Sequence, residues 1–267
     1  MRKVLTPIKI ISFDFDGVFP MGKRKYNYEE SLYRNLRTKL GKNNVDKKEM
    51  YGLFADFIQH DRAERIFHKS GRLIPYFENY LRNKGIKHLY ADEIVLDALF
   101  DSNTMYPLTE NLASIFKFFA TREIKVALVS DSIFPTLMRR IMLQNWGLLQ
   151  YFDLVLTSQE HDRKSGHKIF KKLINHFEAK PSEILHVGDK LSDDIILAKK
   201  VGLQTCLLLN ESANEDTASI KPDFTIKNLK ELKQIIEVRA LLQSKLNSVN
   251  ILPMKTYLQR DKIFSKQ

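Results

Sequence analysis

Short runs of apolar, β-branched residues alternate with helical patterns along most of the chain. Five of these runs predict buried strands, at Ile8–Phe15, Ile124–Ser130, Phe152–Thr157, Glu183–Val187 and Thr205–Leu209, with Phe224–Ile226 as a weaker sixth. Between them, apolar residues recur every three or four positions in three segments, which predicts helices at Pro135–Trp146, His167–Phe177 and Asp193–Val201. This alternation indicates an α/β fold with a mostly parallel sheet.

The alternation is interrupted once, between the first and second predicted strands. Residues 19–108 have almost no strand signal and contain four amphipathic runs, at Tyr28–Leu40, Lys47–His68, Ile74–Arg82 and Asp92–Phe100. About 90 residues are enough for a hydrophobic core of their own, so we expect an inserted helical domain. Prolines and a glycine in Phe19–Gly22 and Tyr106–Leu108 suit a two-stranded hinge at its ends. The predicted division is 1–18 and 109–230 for an α/β core, 19–108 for the insert, and 231–267 for a C-terminal helix and basic tail.

Composition narrows the class of protein. The 267 residues include 43 lysines and arginines against 32 aspartates and glutamates, and this net charge of +11 favours anionic partners. The single cysteine, Cys206, excludes an internal disulfide and suits a reducing compartment, so we expect a cytoplasmic protein. The longest uncharged stretch, Ile141–Phe152, is shorter than the roughly 20 apolar residues of a membrane span. Lys9 and Asp14 interrupt the N-terminal apolar region, so no secretory signal is expected.

Polar residues follow three of the predicted strands at the point where each strand ends. The first strand runs into Asp14-Phe15-Asp16-Gly17, the second ends at Ser130, and the fourth runs into Gly188-Asp189. Ligands of an open α/β sheet bind beyond the carboxyl ends of its strands, so these side chains are expected in one crevice. Asp14 and Asp16 share a face of an extended chain, and two carboxylates so close repel unless a cation lies between them or one is protonated.

These residue types predict a site for a metal ion and a phosphate. Oxygen ligands that include Asp14, Asp16 and Asp189 suit Mg²⁺, which also binds phosphate oxygens and water. The Ser130 hydroxyl and the backbone amides of the turn that follows favour an oxyanion. Lys164, just before a predicted helix, supplies the positive charge that carboxylates and a phosphate need beside them.

Four stretches, in chain order, resemble the motifs of the haloacid dehalogenase superfamily over about residues 8–228. The matches are Asp14-Phe15-Asp16-Gly17, then Ser130, then Lys164 ahead of Ile169-Phe170, and then Gly188-Asp189 with Asp194. The third motif departs from the usual Lys-Pro, because Ser165 follows the lysine. A helical insert between the first two motifs is similar to the superfamily's type 1 cap.

The resemblance implies a Rossmann-like, doubly wound core and a Mg²⁺-dependent phosphatase that acts through an aspartyl phosphate. Asp14 would then be the nucleophile and Asp16 the general acid and base. Mg²⁺ would be held by the Asp14 carboxylate, the Asp16 backbone carbonyl and Asp189. Ser130 and Lys164 would bind the phosphoryl oxygens, and Asp194 would orient Lys164 or a metal-bound water.

Two other functions stay open at this stage. A phosphomutase uses the same residues and would be revealed by a requirement for a bisphosphate activator. A non-enzymatic protein would use the fold as a scaffold and bind nucleic acid or a partner through Lys23-Arg24-Lys25 and its tail, but the intact motifs argue against this. Asp16 also argues against carbon–halogen chemistry, because dehalogenases of the superfamily lack this second aspartate.

The expected substrate is a small phosphorylated metabolite, because a cap of about 90 residues over the crevice should exclude a long nucleic acid. Lys23, Arg24 and Lys25 are expected near the mouth of the crevice, where they would steer an anionic substrate. The sequence identifies neither the metabolite nor the oligomeric state.

Overall fold

A computed structural model describes residues 6–23, 28–41, 45–67, 72–83, 85, 93–94, 96–97, 106–209 and 220–249. Its strands are β1 (Ile10–Phe13), β2 (Lys125–Ser130), β3 (Leu154–Thr157), β4 (Ile184–Gly188), β5 (Gln204–Leu208) and β6 (Phe224–Ile226). They form one parallel sheet in the order β3-β2-β1-β4-β5-β6. The predicted α/β class and parallel sheet are confirmed, and each predicted strand is found within two residues of its predicted ends.

The described helices are α1 (Tyr28–Leu40), α2 (Lys47–Glu64), α3 (Leu73–Asn83), α4 (Ala113–Ala120), α5 (Thr136–Asn145), α6 (Lys168–His176), α7 (Ile196–Lys200) and α8 (Leu232–Val249). The first three belong to the segment between β1 and β2. The three helices predicted between the strands of the sheet region are found as α5, α6 and α7. A π-helical turn at Leu191–Ile195 precedes α7. None of the described helices is both long enough and apolar enough to cross a membrane.

The central strand β1 is buried on both faces, which explains its continuous apolar sequence. Ile10 packs in one apolar cluster with residues of β2, β4 and α6, whereas Ile11 and Phe13 pack in a second cluster on the other face. Because the strand order reverses at β1, the connections leave its carboxyl end on opposite sides of the sheet. A crevice is therefore expected beyond Phe13.

The part of the chain that carries α1, α2 and α3, called the helical segment below, is joined to the sheet region by two stretches that pair with each other. Met21 and Leu108 form an antiparallel bridge. The Gly22 backbone N–H donates to the Pro107 carbonyl at 2.8 Å, and the Thr109 N–H donates to the Pro20 carbonyl at 2.8 Å. The two ends of the insert, each of which contains one proline, are thus held side by side. Whether residues 19–108 form a separate domain stays a prediction.

Helix α4 was absent from the sequence prediction. It is only eight residues long, and its buried face consists of Ile115, Phe116 and Phe119. Two helical turns give a periodic pattern too little length to stand out from a short apolar run. Most of the predicted helix Asp92–Phe100, the basic residues Arg24 and Lys25, and the tail beyond residue 249 lie outside the described residues.

Candidate active site

The loop after β1 is packed tightly against the loop after β4. Asp14 still belongs to the sheet, since its backbone N–H donates to the Val187 carbonyl at 2.8 Å. Gly17 has a φ of +83°, and a Cβ at this position would lie 2.1 Å from Asp189 Oδ2. Only glycine leaves room for the Asp189 carboxylate here. The two aspartate-containing loops therefore share one small volume at the carboxyl edge of the sheet.

Lys164 lies at the centre of the candidate site. Its Nζ is 2.6 Å from Asp14 Oδ1 and 2.6 Å from Asp194 Oδ1, and its side chain is only 2% exposed. Burial alone would lower the pKa of the Lys164 ammonium, but the two carboxylates outweigh it and hold this pKa above its usual value. Lys164 is therefore a cation at neutral pH, although it is removed from water.

Asp14 and Asp194 differ in the direction of their pKa shifts. Burial raises the pKa of the Asp14 carboxyl to about 7, because desolvation exceeds the opposing effect of Lys164. Burial also acts on Asp194, but the Lys164 ammonium 2.6 Å away outweighs it and lowers the pKa of this carboxyl. Asp194 Oδ2 also accepts the Lys190 backbone N–H at 3.0 Å. Asp194 is thus a fixed anion, whereas Asp14 needs further positive charge to be fully ionised.

The carboxylates fit a divalent cation. One oxygen from each of Asp14, Asp189 and Asp194 lies within 4.8 Å of the other two, and all three residues are buried. Three carboxylates against the single ammonium of Lys164 leave an excess of negative charge. Hard oxygen donors in this number suit Mg²⁺. Asp16 contributes no carboxylate oxygen to this group, and the proposed role of its backbone carbonyl stays a prediction.

The Asp16 side chain contacts a cation of its own. Its Oδ2 lies 2.7 Å from Arg139 Nη2, with the Asp16 side chain 53% exposed and Arg139 almost fully buried. Arg139 lies on α5, and its guanidinium stacks over the Phe15 ring at 4.0 Å. Trp146, just beyond α5, stacks on the same ring with centroids 5.2 Å apart. Arg139 could not be found from the sequence, because no residue near it in the chain indicates a pairing with Asp16.

Ser130 ends β2 and is fully buried. The next residue, Asp131, links this strand end to Lys164, because Asp131 Oδ1 accepts the Lys164 backbone N–H at 3.0 Å. The structure thus brings together one group of side chains, namely those of Asp14, Lys164, Asp189 and Asp194. Ser130 is connected to this group through the next residue, Asp131, which contacts the Lys164 backbone. Asp16 lies beside the group and is held by Arg139.

A buried histidine beneath the group was also missed by the sequence prediction. His186 lies within β4, its Nδ1 is 2.9 Å from Ser12 Oγ, and its Nε2 is 3.9 Å from Asp194 Oδ1. Burial lowers the pKa of the imidazole, so His186 is neutral at physiological pH. Its strand is read as an ordinary apolar run in the sequence, where a single histidine carries no signal.

Comparison with known protein families gives one match that covers most of the chain. The model of the haloacid dehalogenase-like hydrolases matches residues 8–202. The chain belongs to this family. The matched region contains every residue of the group around Lys164, and it includes the helical insert.

Among the relatives of this chain, one is named a nucleotidase and another a phosphatase. The pyrimidine 5'-nucleotidase YjjG of Escherichia coli (strain K12) is 26% identical over 60% of this chain and 69% of its own length. A glyceraldehyde 3-phosphate phosphatase of Methanocaldococcus jannaschii is 29% identical over 43% of this chain, which spans half the length of that relative. Among solved structures, a 2-haloacid dehalogenase from Pseudomonas syringae pv. Tomato DC3000 superposes with a TM-score of 0.63 at 18% identity, covering 86% of this chain and 98% of that chain. This last similarity concerns the fold alone.

Proposed function

We propose that the chain is a Mg²⁺-dependent phosphohydrolase that cleaves a small phosphate monoester through an aspartyl phosphate on Asp14. The observation that carries the proposal is the buried contact of Lys164 with Asp14 and Asp194, next to Asp189. This arrangement offers a carboxylate nucleophile, a fixed cation for phosphoryl oxygens, and oxygen ligands for a divalent ion. Phosphoryl transfer needs mainly positioning and electrostatic stabilisation, and these groups supply both.

In the first step, an Asp14 carboxylate oxygen forms a bond to phosphorus while the bond from phosphorus to the leaving oxygen breaks. Asp16 donates its proton to the leaving oxygen, so the product is an alcohol. In the second step, water attacks the same phosphorus, Asp16 takes a proton from it, and the bond to Asp14 breaks. The second step releases inorganic phosphate and restores the free Asp14 carboxylate.

Lys164 and Ser130 hold the phosphoryl oxygens in both steps. Asp14, Asp189 and the Asp16 backbone carbonyl would hold Mg²⁺, which when bound neutralises negative charge on the transferring group. Asp194 keeps the Lys164 ammonium in place through the 2.6 Å contact.

The proposed substrate is a small molecule rather than a polymer. Asp14 is only 7% exposed, which favours a terminal phosphate on a small molecule over a phosphate within a long nucleic acid. The names of the two relatives, a nucleotidase and a triose phosphate phosphatase, also describe small monoesters. Neither name selects the substrate of this chain, which covers only part of each relative.

A screen of the purified chain against phosphorylated metabolites tests the proposal. With Mg²⁺ present, we expect release of inorganic phosphate from one group of small monoesters, and no release after Asp14→Asn. Full activity of Asp14→Asn would contradict the proposed nucleophile. Activity that requires a bisphosphate activator and moves phosphate to a second hydroxyl would instead identify a phosphomutase.

A further inference from the structure

A buried ion pair connects the helical segment with the loop that carries Lys164. Arg163 Nη2 lies 2.8 Å from both carboxylate oxygens of Asp61, which is on α2. The two side chains are 8% and 2% exposed. Arg163 is also the residue directly before Lys164 in the chain. The helix is therefore joined by charge to the backbone next to the proposed phosphate-binding lysine.

The contacts continue from Arg163 to the end of β2. Arg163 Nη1 lies 3.7 Å from Asp131 Oδ2, and the other oxygen of Asp131 accepts the Lys164 backbone N–H. Asp131 directly follows Ser130. A displacement of Asp61 would thus act on both proposed phosphate-binding residues. It would reach Lys164 through Arg163, and Ser130 through Asp131.

Stability is a poor explanation for this pair. Removing two charges from water is costly, and their attraction often only offsets that cost. A forked guanidinium contact with a carboxylate instead fixes direction and distance. The buried residues of α2 are Met50, Phe57 and Asp61, so one of the three is charged.

The surroundings of the pair support the same interpretation. A cavity of about 490 Å³ lies between the helical segment and the loop after β3. Its lining includes His60 and Glu64, on either side of Asp61, and Asp162, which precedes Arg163. The ion pair joins the two parts of the chain beside this cavity.

We infer that Asp61 is a positioning residue that acts through Arg163 and Asp131 on Lys164 and Ser130. When α2 lies against the sheet region, Asp61 holds Arg163 and thereby fixes the loop that binds the phosphoryl group. This inference rests on the proposed function, because it assigns the pair to phosphate binding. It makes the docking of the helical segment a condition for an ordered phosphate site.

The test compares Asp61→Asn with Arg65→Gln. Arg65 contacts the same Asp61 carboxylate at 3.4 Å from an exposed position, so its variant removes a partner of Asp61 without touching Arg163. Two quantities are measured in the full chain with Mg²⁺: kcat with p-nitrophenyl phosphate, and the rise in melting temperature caused by inorganic phosphate. The rise caused by Mg²⁺ alone is recorded as an internal reference for the metal ligands.

We expect Asp61→Asn to lose most of the phosphate-induced rise and to lower kcat about 10- to 100-fold, the cost of a small misplacement. Its Mg²⁺-induced rise should match that of the parent, and Arg65→Gln should match the parent in all three measurements. Asp61→Glu, which keeps the charge, should recover part of the loss. A purely structural role would lower the melting temperature without changing the phosphate-induced rise.

A second variant covers poor folding of Asp61→Asn. The double variant Asp61→Asn with Arg163→Gln removes both charges of the buried pair, so neither stays buried without the other, and it should show the same loss of the phosphate-induced rise. If Asp61→Asn and the double variant both match Arg65→Gln while the parent hydrolyses phosphate esters, the positioning role is wrong. If the parent shows neither hydrolysis nor a phosphate-induced rise, the proposed function itself fails, and the inference fails with it.

Discussion

Asp14 and Asp16 are two residues apart, yet the structure gives their carboxylates different surroundings. Asp14 is buried against Lys164, while the half-exposed Asp16 contacts Arg139. A nucleophile benefits from a fixed position next to the cation that holds the phosphoryl group. An acid and base must reach first the leaving oxygen and then water, and the exposed position of Asp16 allows this. Such a difference in environment is how two identical side chains acquire different roles.

The role of Asp16 predicts how a variant responds to the leaving group. Asp16→Asn should lower kcat by about 100- to 10,000-fold on an alkyl phosphate, because a poor leaving oxygen needs the proton. The loss in the first step should be smaller on p-nitrophenyl phosphate, whose leaving group departs readily as an anion. Pre-steady-state release of the leaving group from both substrates measures this. Equal losses on the two substrates would remove the acid role.

Gly17 allows a prediction with a matched control. In Gly17→Ala the new Cβ would overlap Asp189 Oδ2 at 2.1 Å, so we expect lower Mg²⁺ affinity and lower activity. Gly41 has a similar φ of +86° but nothing within 4 Å of a Cβ. Gly41→Ala should therefore show only the strain of the left-handed backbone, about 1–2 kcal/mol in the free energy of unfolding, with normal Mg²⁺ affinity. Calorimetric Mg²⁺ titration of both variants decides whether the overlap with Asp189 matters.

At the scale of elements, Glu30 joins α1 to α2. Its carboxylate is 2.7 Å from Lys47 Nζ, 2.8 Å from Arg34 Nε and 3.1 Å from the Tyr51 hydroxyl. Hydrogen bonds from Lys47 and Arg34 lower the pKa of Glu30 from its usual 4.5 to about 2. Because the folded pKa is the lower one, the contribution of Glu30 to stability is complete above pH 4.5 and is lost as the pH falls towards 2.

Urea unfolding at a series of pH values checks this dependence. The difference in stability between the parent and Glu30→Gln should be largest above pH 4.5, about 1 kcal/mol or less for pairs near the surface, and should vanish near pH 2. A difference that stays constant from pH 6 to pH 2 would show that Glu30 is not held as an anion by these partners.

The elements show which features a sequence reveals. The strands were predictable because apolar runs such as Lys125–Ser130 are local signals, and their ends were where polar residues change the pattern. Helix α4 was not predictable, because eight residues are too few for a clear period. The pairings of Asp16 with Arg139 and of Asp61 with Arg163 join residues 123 and 102 positions apart. Contacts of that range depend on packing, which no local pattern contains.

At the scale of the whole molecule, the fold does not select the reaction. The superposed 2-haloacid dehalogenase has a similar architecture, although its name states a different chemistry. A fold alone does not determine which side chains lie at the end of β1. Here that region carries Asp16 as well as Asp14, beside a group of carboxylates suited to a divalent ion. The proposed phosphatase activity follows from these side chains.

The proposed metal site predicts a stability effect on the whole chain. Mg²⁺ at 100 times its dissociation constant should raise the free energy of unfolding by about 2.7 kcal/mol if it binds only the folded state. Asp189→Ala should reduce that gain, because it removes one of the clustered oxygens. Thermal unfolding with and without Mg²⁺ measures both. An equal gain in the parent and in Asp189→Ala would place the metal elsewhere.

Trapping the proposed aspartyl phosphate shows whether Asp14 is the nucleophile. Asp16→Asn is mixed with p-nitrophenyl phosphate and Mg²⁺, quenched after the first release of p-nitrophenol, and treated with borohydride, which reduces an aspartyl phosphate to homoserine. We expect peptide mass spectrometry to find homoserine in place of Asp14, and none in a variant that also carries Asp14→Asn. Homoserine at another aspartate, or a full burst of p-nitrophenol with Asp14 unmodified, would contradict this expectation.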